Sequence, residues 1–177
     1  RFFAKRPMDV WLFLSVPDNR AMLFAALSET LAFALPGYLA GLALGAGLAA
    51  VLVLSPTVSS ATMPVAIALR AIPIITTAPI LVLAFGRGIV GTAVVVAVMI
   101  FFPTLVACQQ GLRQTPGQIV DLFRSYVATR WTLLRSAQIP AMLPAFFASA
   151  RMAVPAALLA VTTVEWLATG KGMGVLM

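Results

Sequence analysis

Apolar positions dominate this chain, and the polar ones gather in a few places. From Thr30 to Leu69 there is no charged residue. A run of that length holds two membrane crossings of the ~20 apolar residues that each requires. Ser55-Pro56-Thr57-Val58-Ser59-Ser60 is the polar, proline-containing break between them. The first crossing is therefore expected over Leu31–Leu54. The next, from Ala61 to Phe85, contains Pro64, Pro73, Pro79 and the charge of Arg70. Proline removes a backbone hydrogen bond, so this crossing should be kinked or broken. After a tight Gly86-Arg87-Gly88 turn, Ile89–Cys108 reads as a third crossing, with Pro103 near its far end.

Gln109–Pro144 differs in kind, with Arg113, Asp121, Arg124, Arg130 and Arg135 among polar residues. It is too polar to span and too long for a simple loop. Thr115-Pro116-Gly117-Gln118 has the form of a capping box with proline at the first helical position. A helix is expected there, burying Ile119, Leu122, Phe123 and Tyr126 on one face. Thr129 can cap a second short helix ended by Pro140, giving two amphipathic helices on one membrane surface. A fourth crossing is expected over Ala145–Leu167, and Gly170, Gly172 and Gly174 read as a flexible tail. Residues 1–30 hold one short apolar piece, Val10–Val16. It is too short to span and is expected to lie at the interface. The expected architecture is an all-α, polytopic transmembrane helical bundle of about four to five crossings, divided into an interfacial segment over 1–30 and a transmembrane domain over 31–177.

Composition narrows the function. Of 177 residues, 62% are hydrophobic and 10% charged, with a mean hydropathy of +1.04. Soluble domains carry roughly 25% charged residues, so this chain cannot build a water-facing surface all round. The net charge of +7 does not indicate nucleic acid, because the basic residues stand singly among apolar runs without a clustered basic face. Lipid headgroups and topology account for them. The single Cys108 excludes an internal disulfide or a multi-cysteine metal site, and there is no histidine. The chain opens on Arg1 without a signal-peptide pattern and reads as a piece of something longer. Charge counting leaves topology ambiguous: Arg113, Arg124, Arg130 and Arg135 lie on the polar-loop side, against Arg1, Lys5, Arg6, Arg20, Arg87 and Lys171 on the other.

Gly37, Gly41 and Gly45 form a small-xxx-small face suited to close helix packing, within the chain or between subunits. Arg70, Arg151 and Glu165 are ionisable residues in or beside apolar runs. A charge at a helix centre costs about 2.5–3.5 kcal/mol on insertion scales, so they should face protein or water. Arg70 and Pro73 on the broken crossing, together with Glu165, are candidates for a translocation path. For Arg151 and Glu165 the alternative is an interfacial position or an internal ion pair. Trp11 and Trp166 read as interfacial belt residues. No Walker-type phosphate loop is present.

Gln109–Pro144 resembles the EAA loop of bacterial ABC transporter permeases. Asp121-Leu122-Phe123 stands where Glu-Ala-Ala is expected, Val127-Ala128-Thr129-Arg130-Trp131 where Gly-Ala-Ser-Arg-Trp is usual, and Ile139-Pro140-Ala141-Met142-Leu143-Pro144 closes the motif. Val127 replaces a glycine that would reach positive φ freely, and Phe123 replaces a small residue. Upstream, Leu69-Arg70-Ala71-Ile72-Pro73, Pro79 and Phe85-Gly86-Arg87-Gly88 are similar to the nitrate, sulfonate, taurine and thiamine-precursor branch. Downstream, Glu165 and Gly172-Met173-Gly174 are similar to the same branch.

That resemblance implies a MetI-like importer permease in the bacterial inner membrane, with the 109–144 loop in the cytoplasm and further helices beyond both ends. It implies docking of a separate ATPase subunit on Asp121, Arg124, Ser125, Tyr126, Val127, Ala128 and Thr129, with Arg130 at the rim. A second permease subunit or half and a periplasmic or lipid-anchored solute-binding protein are the other implied partners. ATP would be bound by the partner, leaving this chain without cofactor, metal or catalytic residues. The solute would be a sulfonate, nitrate, taurine or a pyrimidine-type thiamine precursor. Two other classes stand beside this one. An intramembrane enzyme would need a grouped acid, base or nucleophile, and the five acids are scattered. An ion-coupled carrier or channel would suit Arg70 and Glu165 but leaves the polar loop unexplained.

Overall fold

The computed structural model describes residues 6–70, 74–170 and 172–176, with the side chains of Arg70, Ile74, Ile75 and Thr169 outside the description. The described residues are helical almost throughout. In chain order the helices are α1 (Pro7–Ser15), α2 (Pro17–Leu54), α3 (Pro56–Arg70), α4 (Ile74–Phe85), α5 (Ile89–Arg113), α6 (Gly117–Ser125), α7 (Arg130–Leu133), α8 (Ile139–Val164) and α9 (Met173–Leu176). Wide π-helical turns at Leu134–Gln138 and Glu165–Thr169 flank α8. Three helical rods are long and apolar enough to cross a membrane, Pro17–Leu54, Ile89–Arg113 and Arg130–Ala168.

The first crossing begins earlier than its uncharged stretch. α2 is one helix of 38 residues, ~57 Å at 1.5 Å per residue, well beyond a ~30 Å hydrocarbon core. Its first turns, with Asp18, Arg20 and Glu29, extend past the apolar part. Absence of charge located the membrane and not the helix end. α1 buries none of its residues in this chain, as a surface-lying segment would.

The glycine face packs within the chain. Gly37, Gly41 and Gly45 lie against Ala93, Ala97 and Phe101 of α5. A Cβ added at Gly41 or Gly45 would stand 2.8 Å from the carbonyl oxygen of Ala97 or Phe101, and one at Gly37 would collide with the Ala93 carbonyl. Because the contacts advance together along both helices, α2 and α5 run parallel. α3 and α4 must therefore jointly return the chain across the membrane as the proline-containing crossing, with Pro64 and Pro79 lying inside α3 and α4 without ending either helix. Pro73 itself lies outside the described residues. α8 runs antiparallel to α5: Ser149 donates a 3.2 Å hydrogen bond to Thr104, and Gly111 admits Met142 and Ala145. Tyr38 on α2 donates to the Ala150 carbonyl at 2.9 Å.

Three apolar clusters stack along this bundle. Ala49, Leu52, Ala66, Leu105, Cys108, Leu112, Leu134 and Met142 fill the end near the polar loop. Ala34, Leu42, Val96, Ile100, Ala157 and Val161 fill the middle. Ala78, Val82, Val95 and Val164 fill the far end. Many other large apolar residues face outward, including Leu39, Leu44, Leu83 and Leu159, as a surface solvated by lipid tails allows.

Three local expectations are corrected. Pro140 does not end the second loop helix, because Arg130–Ala168 is a continuous 39-residue rod. Pro140 falls in the first turn of α8, directly after the π-helical turn, where its missing N–H costs little. Thr115 does not cap α6. Pro116 occupies the N-cap without a side-chain cap, and the Thr115 hydroxyl donates back to Leu112 at 3.2 Å. The C-terminal glycines form no free tail, since Gly172 and Gly174 are buried against the end of α8.

Candidate functional site: the polar loop and the groove beside it

α6 turns its apolar side outward. Ile119, Leu122 and Tyr126 were expected to be buried, yet Leu122 is 54% and Tyr126 79% exposed, and Ile119 is exposed as well. Phe123 is half-buried. Among the described residues no element covers that face. Asp121 and Arg124, one turn apart, make an exposed 3.4 Å ion pair, a geometry worth under ~1 kcal/mol and easily exchanged for another partner.

The end of α6 is built around Val127. Its φ of 53° is the one positive value at a described non-glycine residue. Val127 donates to the Arg124 carbonyl at 2.9 Å and Ala128 to the Phe123 carbonyl at 3.0 Å, the paired bonds of a Schellman ending with Val127 in the left-handed position. The sequence had placed a substituted glycine at this point, and the backbone keeps the glycine's conformation. A left-handed residue bearing a β-branched side chain costs roughly 1–2 kcal/mol, while glycine adds about 0.4–1 kcal/mol of unfolded-state entropy. Val127→Gly should therefore protect the loop by up to about 1 kcal/mol, read as slower amide exchange at residues 123–129. Faster exchange would contradict the strain.

Thr129 caps α7 as expected, its hydroxyl accepting the Thr132 N–H at 3.2 Å. Ser125, Ala128 and Thr129 follow α6 around the turn, with Ser125 and Thr129 exposed. Arg130 is exposed as well and reaches from the turn toward α2. Its guanidinium donates a 2.9 Å hydrogen bond to the carbonyl of Leu54, the last residue of α2.

Beside the loop, α3, α4, α5 and α8 enclose an open groove of about 1040 Å³. Its walls are mostly apolar, with Met99, Phe102 and Met152 prominent. Thr77, Gln110, Gln114 and Ser149 supply the polar groups, and no lining residue among those described is ionisable. Leu69 reaches the groove; Arg70 ends α3, and its side chain is outside the described residues. Arg151 is exposed on α8. Glu165 is not among the lining residues. It is fully buried at the far end of α8, with Oε1 accepting from the Thr30 hydroxyl at 2.7 Å and Oε2 from the Gly174 N–H at 2.8 Å. Sequence reasoning had no signal for Ser59, Gln109 or Gln110. Among the described residues no cluster of acids and cysteine could hold a metal.

Residues 37–177 match the family described as binding-protein-dependent transport system inner membrane component. The chain belongs to that family. It is 36% identical over 141 residues to a probable ABC transporter permease protein of Haemophilus influenzae, covering 80% of this chain and 58% of the relative. It is 33% identical over 156 residues to the formylaminopyrimidine transport permease protein ThiX of Halalkalibacterium halodurans, covering 88% and 62%. It is 32% identical over 117 residues to the riboflavin transport system permease protein RibX of Chloroflexus aurantiacus, covering 66% and 44%. The chain thus spans about half to three fifths of the length of these relatives. Family and apolar rods together make this a multi-pass membrane permease chain, as the EAA-like loop implied.

Proposed function

We propose that this chain forms the membrane-spanning part of an ATP-driven importer subunit of a bacterial inner membrane, with α6 as the docking helix for a separate ATPase. The observation that carries this is the uncovered apolar face of Ile119, Leu122 and Tyr126, held outward by the Schellman turn at Val127. A helix laid into a groove of a soluble partner uses such a face. The continuous rod from Arg130 to Ala168 gives the docked loop a stiff connection into the membrane. ATP is bound by the partner, a solute-binding protein delivers the solute, and a second permease unit completes the path. The intramembrane-enzyme and ion-coupled alternatives have nothing comparable in their favour.

The groove is the wall this chain contributes to that path. Among the described lining residues, the carboxamides, hydroxyls and apolar surface suit a flat, hydrogen-bonding solute. The relatives named for formylaminopyrimidine and riboflavin transport support a nitrogen heterocycle.

Asp121→Arg in the full-length permease tests the docking. It places a cation beside Arg124 at the centre of the proposed contact. Co-purification of the ATPase in nanodiscs should fall at least about tenfold, the consequence of losing ~1.4 kcal/mol or more at a docking surface. Unchanged co-purification and unchanged ATP hydrolysis would remove α6 from the interface.

A further inference from the structure

Two arginines at opposite ends of the polar loop reach the same place. Arg113, the last residue of α5, donates a 2.8 Å hydrogen bond from Nη2 to the hydroxyl oxygen of Ser59 on α3. Arg130, the first residue of α7, donates from Nη1 to the Leu54 carbonyl at the end of α2. Leu54 and Ser59 bracket the corner where α2 passes into α3. The loop therefore grips this corner from both sides, through side chains 54 and 76 positions away in sequence.

The corner is poorly held by anything else. Among the described side chains of α3 only Ser59 and Ala66 are buried. Ser59 is 1% exposed and also accepts a 2.6 Å hydrogen bond from Gln109 Nε2. Gln109 is itself 2% exposed, and its Oε1 is enclosed without a partner. An unpaired buried acceptor costs roughly 1–3 kcal/mol. A half-turn of the Gln109 amide would pair that oxygen with the Ser59 hydroxyl, which can donate to it while still accepting from Arg113. α3 in turn leads into α4, and Leu69, Thr77, Ile80 and Leu81 of this pair line the groove.

We infer that Arg113 and Arg130 are positioning residues: together they clamp the α2–α3 corner to the polar loop, so that movement of the loop is passed to the proline-containing crossing that walls the groove. This rests on the proposed docking of the loop on an ATPase, but the clamp is a property of the permease alone. Hydrogen bonds from both ends of the loop tie the corner to it, so that displacement of the loop carries the corner with it. Arg130, although exposed, then reaches toward α2 as one arm of the clamp.

The test uses the full-length permease in nanodiscs, first alone and then with its ATPase and solute-binding protein. Alone, Arg113→Ala, Ser59→Ala and Arg130→Ala should each speed amide exchange at residues 55–62 by about fivefold or more, the lower end of ordinary coupling energies. Arg130→Lys, which keeps one donor for the single carbonyl, should restore protection. In the assembled importer, Arg113→Ala should retain the ATPase while solute moved per ATP hydrolysed falls about tenfold. Unchanged exchange at 55–62 in all three alanine variants would overturn the clamp whatever the ATPase does. Loss of ATPase retention in Arg130→Ala without any change in that exchange would place Arg130 in the docking surface and also overturn it. Wild-type permease that shows the exchange pattern but retains no ATPase would sink the docking proposal and leave the clamp standing as a structural tie.

Discussion

Gly41→Leu is expected to lower the thermal midpoint of the permease clearly, and Gly47→Leu to leave it almost where it stands in the unsubstituted chain. Both glycines lie on α2, and both substitutions add the same apolar side chain. At Gly41 a Cβ alone would sit 2.8 Å from the Ala97 carbonyl oxygen and 2.9 Å from Ile100 Cβ, whereas at Gly47 it meets nothing within 4 Å. A backbone carbonyl cannot rotate away as a side-chain tip can, so α2 and α5 would have to part along their contact. Overpacking in a close-packed interior commonly costs about 1–3 kcal/mol, and a backbone obstacle puts this site at the upper end. For a chain of this size that corresponds to roughly a 10 °C loss in thermal midpoint. The measurement is the thermal midpoint of the full-length permease in detergent, followed by size-exclusion fluorescence. Equal midpoints for the two variants would contradict close approach of the helices at Gly41. Lipid makes the contrast sharp, because helices in a bilayer gain little from apolar burial and rely on how near their backbones come.

That glycine face was legible in the sequence because its spacing is a property of one helix. The partner was not, since α5 lies about fifty residues downstream and nothing local announces it. Val127 was legible for a related reason: a backbone conformation is local, and a family glycine marks it even when another residue stands there. A crossing through the proline-rich stretch is what the parallel course of α2 and α5 requires, although Pro64 and Pro79 lie inside α3 and α4 and the junction at 71–73 lies outside the described residues. Local rules failed where a tertiary or non-standard helical feature intervened. Pro140 reads as a helix end, but a π-helical turn directly before it absorbs the missing donor. Ile119, Leu122 and Tyr126 have the spacing of a buried face, and periodicity states which residues share a side without stating what covers it. Arg130 is the exposed charge it reads as, but its acceptor, a carbonyl at the end of α2, is invisible to a pattern of side chains. The glycines at the end read as a tail for the same reason: Gly172 makes room for the Glu165 carboxylate and Gly174 for Glu165 Cβ and the Thr162 carbonyl, contacts no local pattern announces.

Glu165→Ala is the second substitution expected to have a large effect, and it should act on stability before transport. The carboxylate accepts the Thr30 hydroxyl on one oxygen and the Gly174 N–H on the other, and the Thr30 oxygen also accepts the Met173 N–H at 3.0 Å. One side chain thus ties the start of α2 to the end of α8 and fixes the turn into α9. The glycines around it are spaced for it: a Cβ at Gly172 would collide with the carboxylate, and one at Gly174 would stand 2.9 Å from Glu165 Cβ. Alanine leaves two buried donors without their acceptor, at about 1–3 kcal/mol each. Glutamine keeps one accepting oxygen and turns an NH₂ group toward the other donor, so Glu165→Gln should lie between alanine and wild type. Both should speed amide exchange at residues 172–176 and lower the thermal midpoint in that order. A translocation-path role predicts the opposite division: Glu165→Gln would change solute uptake or selectivity while midpoint and exchange stayed at the wild-type values. That outcome would move Glu165 out of the helix junction and back to the path. The geometry favours the junction, because a residue fully buried at the meeting of α2, α8 and α9 offers a passing solute no surface to touch.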